Sequence, residues 1–391
     1  MNLQQLSKPI KLPKFTIPYK KPGSKNARLK IALSLDIGSF ITKMAVTRQK
    51  ANTLSVEQAF STYTPPGASE DGGISDPASL AAMLRQLTAM DQTQSKDLIF
   101  SIESTRIIKR EFIIPKIPDA DIPGLITYEM GQYLPIDVSE YSIQPKVIGR
   151  VTEDGDEKIR VSVNAVPKSM IQSYQSLFTA VGLKPVSMGI HPDSVEKLIR
   201  FDIQNNKASE FANRNVVFID MGHKRFSVSA YEGGLCQFSR DIEIGGGSID
   251  NMLMDVLRVS ADDARNIKYD ICGQINATDL ERKFGSLPTG YQPQTVNEKA
   301  LISLLSILNR WTAQIEDVLQ YMTRIKSSNI DRVYLYGGGS LIKGIGGFLE
   351  NKLGVGVSSA NNIKCCEFAH GVNGQVTPIT HLNAIGAAIR L

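Results

Sequence analysis

Residues 30–48 read KIALSLDIGSFITKMAVTR, and residues 216–234 read VVFIDMGHKRFSVSAYEGG. In the first stretch, Ile31, Leu33 and Leu35 alternate along a strand that ends on Asp36, Gly38 turns the chain, and Met44 to Thr47 runs back as a second strand. The second stretch repeats the gesture: an apolar strand reaches Asp220, Gly222 follows two residues later, and another strand returns. The two Asp-x-Gly bends stand 184 residues apart. An internal repeat of that kind predicts an α/β chain built on two related hairpins.

A hairpin bend carrying Asp-x-Gly exposes backbone N–H groups where a Cβ would otherwise block phosphate oxygens. The Asp at the strand end can hold the water shell of Mg²⁺, which keeps several waters and shares its other positions with phosphates. Two such bends facing across a cleft would grip a polyphosphate from both sides. A third apolar strand, at 331–336, ends in Gly337-Gly338-Gly339 and would let backbone pass close to a nucleoside. A lone Asp-x-Gly is a common turn; the ordered set is what points to nucleotide contact. Glu243 is a general-base candidate only by its nearness in sequence, and Trp311, Ile315, Val318, Leu319 and Met322 follow helical spacing and read as core. His223 reads as a solvated loop residue, and His191, His370 and His381 receive no role.

The 391 residues are 42% hydrophobic and 21% charged, which fits two or three globular domains and excludes a disordered chain. Four Cys without a C-x-x-C pair exclude a disulfide scaffold and a cysteine zinc site. The longest apolar run, ALISLLSIL at 300–308, is too short to span a bilayer, and no signal peptide is evident, so a soluble cytoplasmic protein is expected. Residues 1–30 carry eight Lys/Arg and no acid, so the net charge of +5 leaves the remainder at −3. Pro9, Pro13, Pro18 and Pro22 make that arm extended. The arm is a solvated tail, or a contact for anionic lipid or an acidic partner; nucleic acid is not expected, because the body has no matching basic face.

Between the repeats the pattern predicts a strand at 56–63, a Pro/Gly-rich loop at 64–77, a helix at 79–90 capped by Ser75 or Asp76, and a strand at 97–102. A strand at 107–115, a helix at 118–134, a hairpin of 140–151 with 158–166, and a helix at 169–182 then read as an inserted strand–helix–strand–strand subdomain. After DIEIGGGSIDNML (241–253) the chain is helix-rich to about 325, and it closes on NAIGAAIRL.

The order Asp36/Gly38/Ser39, Asp220/Gly222 and Gly337–Gly339 resembles the actin-like ATPase superfamily. Within it the chain resembles the PilM family of type IV pilus assembly proteins. The segments that carry this are DIGSFITK (36–43), PPGASEDGGISDP (65–77), EMGQYLPIDVSEYSIQPKVIG (129–149), SRDIEIGGG (239–247) and DRVYLYGGGSLIKGI (331–345). The Q-Y-L-P-I segment separates it from FtsA, whose C-terminal amphipathic helix has no counterpart before Leu391.

The resemblance implies an α/β, actin-like (ribonuclease H-like) fold of two lobes with ATP and Mg²⁺ between them. The implied domains are an arm at 1–29, a first lobe at 30–102 and 184–215 with the insert at 103–183, a second lobe at 216–375 with its helical part at 254–325, and a C-terminal helix at 376–391 returning to the first lobe. It further implies that Asp36 orders the Mg²⁺ water shell, that Gly38 and Ser39 contact the β- and γ-phosphates, and that Lys43 adds charge nearby. Asp220 and Gly222 would form the second phosphate loop, supported by Gly245 and Gly246; Gly337, Gly338 and Gly339 would pass beneath the adenosine, and Lys268 would approach the ribose or base. The implied partners are the N-terminal cytoplasmic peptide of a PilN-like inner-membrane protein, bound between first lobe and insert, and other platform proteins, with weak self-association. The place would be the inner face of the inner membrane. Two departures, His223-Lys224-Arg225 after the second bend and Arg265 where the family commonly has Glu, leave hydrolysis open. An FtsA-like division ATPase, a type II secretion platform protein and a sugar-type kinase are the competing readings.

Overall fold

The computed structural model describes residues 31–91, 93, 95–153, 155–288, 290–326, 329–361, 363–369 and 378–391. The basic arm and His370 lie outside the described residues.

The first repeat folds as the antiparallel pair β1 (Ile31–Ile37) and β2 (Ile41–Gln49), followed by β3 (Leu54–Tyr63) and a short hairpin, β4 (Ser69–Glu70) with β5 (Gly73–Ile74). Helix α1 (Pro77–Ala89) starts where Asp76 accepts from the Ala78 and Ser79 N–H groups, both at 3.1 Å, with Pro77 at the first helical position. Strand β6 (Asp97–Ile102) lies parallel to β1. The insert follows as β7 (Ile108–Pro115), α2 (Ile122–Tyr133), β8 (Tyr141–Glu153) and β9 (Asp156–Pro167). Its three strands run in the order β7-β9-β8, and Ile159, Val161, Val163 and Ala165 of β9 alternate inward against Ile122, Ile126 and Met130 of α2.

Helix α3 (Lys168–Ala180) belongs elsewhere than expected. Its Met170, Tyr174, Leu177 and Phe178 bury against Phe100 and α1, in the core of the first lobe rather than of the insert. Its helical stripe could not report which sheet it covers. Strand β10 (Lys184–Ile190) pairs with β6, and α4 (His191–Asn205) follows.

The second repeat is β11 (Asn215–Met221) and β12 (Phe226–Glu232), with β13 (Leu235–Ile242) beyond. Helices α5 (Gly247–Leu257), α6 (Ala261–Gln274), α7 (Ala277–Phe284) and α8 (Val296–Lys326) form one side of this lobe, before β14 (Arg332–Tyr336), α9 (Ile345–Leu353) and β15 (Val357–Ser359). The chain then crosses back earlier than expected: β16 (Cys366–Phe368) pairs with β3 in the first sheet, and α10 (Pro378–Ala387) packs on α4.

The duplication is plain in the sheets. Strands β3-β2-β1-β6-β10 of the first sheet match β13-β12-β11-β14-β15 of the second, each with an antiparallel hairpin on one side and parallel strands on the other. Helices α4 and α10 lie between the sheets, where Leu198, Ile199 and Ile385 share one buried cluster with Val56, Phe218 and Tyr334. That shared core fixes the two hairpin bends relative to one another.

Candidate functional site

In open α/β sheets ligands collect beyond the carboxyl ends of parallel strands. Here Asp36 and Asp220 are the penultimate residues of β1 and β11, β6 leads to Glu103 and β14 to Gly337, and all four residues line one cavity of about 680 Å³. That volume suits a small-molecule or cofactor site. Of the residues expected at the site, Asp36, Gly38, Ser39, Lys43, Asp220 and Gly222 line it, as do Gly246, Lys268, Gly337, Gly338 and Gly339.

The two bends repeat one another in atomic detail. A Cβ on Gly38 would stand 2.7 Å from the Ile41 carbonyl oxygen, and a Cβ on Gly222 would stand 2.7 Å from that of Arg225. Both turns therefore need glycine. Gly337 has φ +83°, and a Cβ there would strike the Asp220 carboxylate, so β14 can leave its sheet directly over that side chain. Gly246 N–H donates to the Gly222 oxygen at 3.0 Å and braces the second bend. Gly245 does not reach this cavity; it lines a neighbouring one of about 800 Å³, as do Glu243 and Arg265. Ser39, His223 and Lys224 of the two bends line that neighbouring cavity as well.

Register explains the first ion pair: Asp36 and Lys43 are cross-strand partners, with Lys43 Nζ 3.1 Å from Asp36 Oδ2. The second comes from far along the chain. His191, the first residue of α4, sets Nε2 3.2 Å from Asp36 Oδ1 and Nδ1 3.6 Å from Asp220 Oδ2. Asp220 also accepts from Asn383 Nδ2 at 2.8 Å, and Tyr336 donates its hydroxyl to Asn383 at 3.2 Å. Burial by itself would raise the Asp36 carboxyl, but Lys43 and His191 hold it well below the usual carboxylate range. Burial would lower His191, yet Asp36 and Asp220 push it up to about 10. His191, which received no role from the sequence, thus bridges the two copies of the repeat, and both carboxylates favour its charged form.

His223 is not a solvated loop residue either. Its ring stacks on Phe40 at 4.3 Å between centroids and 16° between planes, so one residue from each bend meets across the cleft. Burial first, then the Lys268 charge, lower it to about 4 and keep it neutral. Arg265 lies 5.1 Å and Lys268 5.6 Å from the Phe40 ring centre, while Lys268 Nζ pairs with Asp250 at 2.7 Å. Lys224 and Arg225 cross to the β4–β5 hairpin, pairing with Glu70 at 2.9 Å and Asp71 at 2.6 Å.

Deeper in the wall, Lys109 of β7 pairs with Glu103 at 2.7 Å and approaches Asp241 to 3.4 Å, tying the insert to both lobes. Burial leads a rise of the Glu103 carboxyl. Among the described residues, three buried polar atoms of cavity-lining residues have no hydrogen-bond partner: Glu103 Oε2, Arg225 Nη1 and Trp311 Nε1. Unsatisfied buried groups are uncommon and call for a ligand or water. Trp311 is core as expected, fully buried and edge-on to Phe226, but it also borders the cavity.

The donor set fits a magnesium-bound nucleoside polyphosphate. Glycine bends open backbone toward the cavity, and Lys43, Lys268 and Arg225 supply positive charge. Among the described residues no group of three or more His, Cys, Asp or Glu is placed to hold a metal alone. A magnesium carried on phosphates needs only one or two carboxylates, and Asp36 offers one.

The family described as type IV pilus assembly protein PilM matches residues 34–391. The chain belongs to the PilM family. Its fold is actin-like. A solved PilM–PilN type IV pilus biogenesis complex superposes with a TM-score of 0.72 at 20% identity, covering 92% of this chain and 98% of that one. The ethanolamine utilization protein EutJ of Carboxydothermus hydrogenoformans gives 0.51 at 11% identity, covering 93% and 91%. Curated proteins give no match. Among the described residues of this family member no helix is long and apolar enough to cross a membrane.

Proposed function

We propose that this chain is a nucleotide-binding scaffold of the type IV pilus inner-membrane platform, taking Mg·ATP in its cleft and an extended N-terminal peptide of a PilN-like membrane protein beside its insert. The observation that carries the reading is the convergence of both Asp-x-Gly bends and the Gly337–Gly339 turn on one cavity. Gly38 and Ser39 would take the β- and γ-phosphates with Lys43 beside them, and Asp36 would hold the magnesium water shell. Asp220 and Gly222 would close from the other lobe, with Gly246 bracing them and Gly245 behind. Gly337, Gly338 and Gly339 would run beneath the adenosine, with Lys268 toward the ribose or base. Mg·ATP would supply a compact polyanion to offset the positive charge of Lys43, Lys268 and Arg225.

The peptide reading rests on the family and on edges. Strands β7 and β8 are both edges of the insert sheet, and β10 is an edge of the first-lobe sheet. Lys146 of β8 pairs with Asp193 and Glu196 of α4, directly after β10, and Val147 and Val186 stay exposed on these two edge strands. An extended apolar peptide can add to such an edge by main-chain hydrogen bonds. That partner would hold the chain at the inner face of the inner membrane, and the basic arm at 1–29 would add contact with anionic lipid, read by liposome flotation with and without it. Calorimetry with the synthetic PilN-type peptide is the test. Saturable binding weakened by Val147→Asp supports the reading, and no heat at high micromolar peptide defeats it.

A further inference from the structure

The three residues after Gly222 have three different fates. His223 stacks on Phe40, and Lys224 pairs with Glu70, both ends of that pair being exposed. Arg225 is divided. One end of its guanidinium holds Asp71, with Nη2 2.6 Å from Oδ1, while Nη1 is buried and has no hydrogen-bond partner. Its backbone is pinned, because its carbonyl accepts the Gly222 N–H at 3.1 Å to close the second bend. Its anchor is pinned too: Asp71 accepts the Thr105 N–H at 2.8 Å and the Thr105 hydroxyl at 2.6 Å. The side chain thus reaches from the second-lobe bend to the first-lobe hairpin, in the wall of the cavity that holds Asp36, His191 and Asp220.

Other cleft cations are committed. Lys43 is taken by Asp36, Lys268 by Asp250, and Lys224 by Glu70. A buried guanidinium N–H without an acceptor is unfavourable, and the rigid fork suits oxygens of phosphate. We propose that Arg225 Nη1 is the donor that reads the terminal phosphate of a bound nucleoside triphosphate, so that the cleft tells triphosphate from diphosphate. This rests on the nucleotide reading given above. The Asp71 tether orients the fork before ligand arrives, so little side-chain freedom remains to be lost on binding.

The test is calorimetry of the full chain with Mg²⁺ and either ADP or a non-hydrolysable ATP analogue, for wild type, R225Q and R225K. Wild type binds the analogue more tightly than ADP. R225Q loses about ten- to hundredfold in affinity for the analogue, the worth of one charged hydrogen bond, and stays within about twofold for ADP. Wild type binding neither ligand removes the nucleotide reading itself. Wild type binding both equally, or R225Q weakening both alike or neither, overturns the Arg225 assignment and leaves the nucleotide reading standing. If R225Q does not fold, R225K decides. It keeps a charge for Asp71 but loses the second donor, so a loss of roughly threefold or more in the analogue-over-ADP preference supports the assignment, and an unchanged preference overturns it.

Discussion

Replacing Lys109 with Met should destabilise this protein more than most single changes do. Met keeps most of the aliphatic stem, so packing changes little and the loss is that of the ammonium. The ammonium lies 2.7 Å from Glu103 and 3.4 Å from Asp241, and side-chain exposures are 16%, 4% and 12% for Lys109, Glu103 and Asp241. Removing it leaves the buried Glu103 carboxylate facing the half-buried Asp241, which accepts the Ser227 hydroxyl. Breaking a buried pair in this way costs about 3–5 kcal/mol, which for a chain of this size lowers the melting temperature by about 5 °C. Neutralising the stranded acid should restore much of it: K109M/E103Q should melt well above K109M, with a coupling of about 2 kcal/mol. Differential scanning calorimetry of wild type, both single variants and the double variant measures this cycle. Because Lys109 is in the insert, protease sensitivity near residues 103–109 should rise in K109M before the lobes melt. A K109M melting point within about 2 °C of wild type, or no recovery in the double variant, would refute the reasoning that this buried lysine fastens the insert to both lobes.

Other expectations follow from the same geometry. Glu70→Ala removes a pair that is 60% exposed on its own side and 46% on Lys224's, so its melting point should stay within about 2 °C of wild type, the pair being worth about 0–1 kcal/mol. Gly337→Ala forces a side chain into φ +83° and onto the Asp220 carboxylate, costing about 2 kcal/mol or more and nucleotide affinity with it; Gly338→Ala, whose Cβ meets open space, should fold normally. Burial lowers His381 to about 4, with Nε2–H donating to the Phe60 carbonyl at 3.1 Å. Its folded value lies below its unfolded value near 6.5, so the unfolded chain takes up the proton first. The contribution is present above about pH 6.5 and lost toward pH 4, amounting to about 2 kcal/mol between pH 7 and 5. His381→Gln should flatten that part of the acid limb in denaturant titrations, and an unchanged limb would count against it.

Much of this was legible in the sequence because it is local. Asp36, Gly38, Asp220 and Gly222 declare two hairpin bends by spacing alone, and the Gly337–Gly339 turn follows its strand directly; the two-lobed fold followed from the family resemblance that these stretches carry. What joins the faces could not. His191 meets Asp36 across 155 positions, and Lys224 meets Glu70 across 154. Periodicity sees a helix beginning at His191 and has no means of seeing the carboxylates its first residue faces. The same limit hid α3, whose stripe announces burial but not the sheet it covers, and β16, three residues long and paired with a strand more than 300 positions earlier. Glu103 and Lys109 carry no local signal, because an acid and a base six positions apart look like surface until tertiary contacts bury them. In His223 the residue type misled: a polar side chain in a loop reads as solvated, and only Phe40 from the other bend makes it an aromatic partner.

The proposed function depends on the two repeated bends holding one ligand between them. A crystal structure of this chain grown with magnesium and a non-hydrolysable ATP analogue tests that directly. The expected result is a triphosphate lying between residues 38–39 and 222–225, metal beside Asp36, and adenosine over Gly337–Gly339. Clear nucleotide density elsewhere on the surface, or an unchanged cleft at saturating analogue, would contradict it.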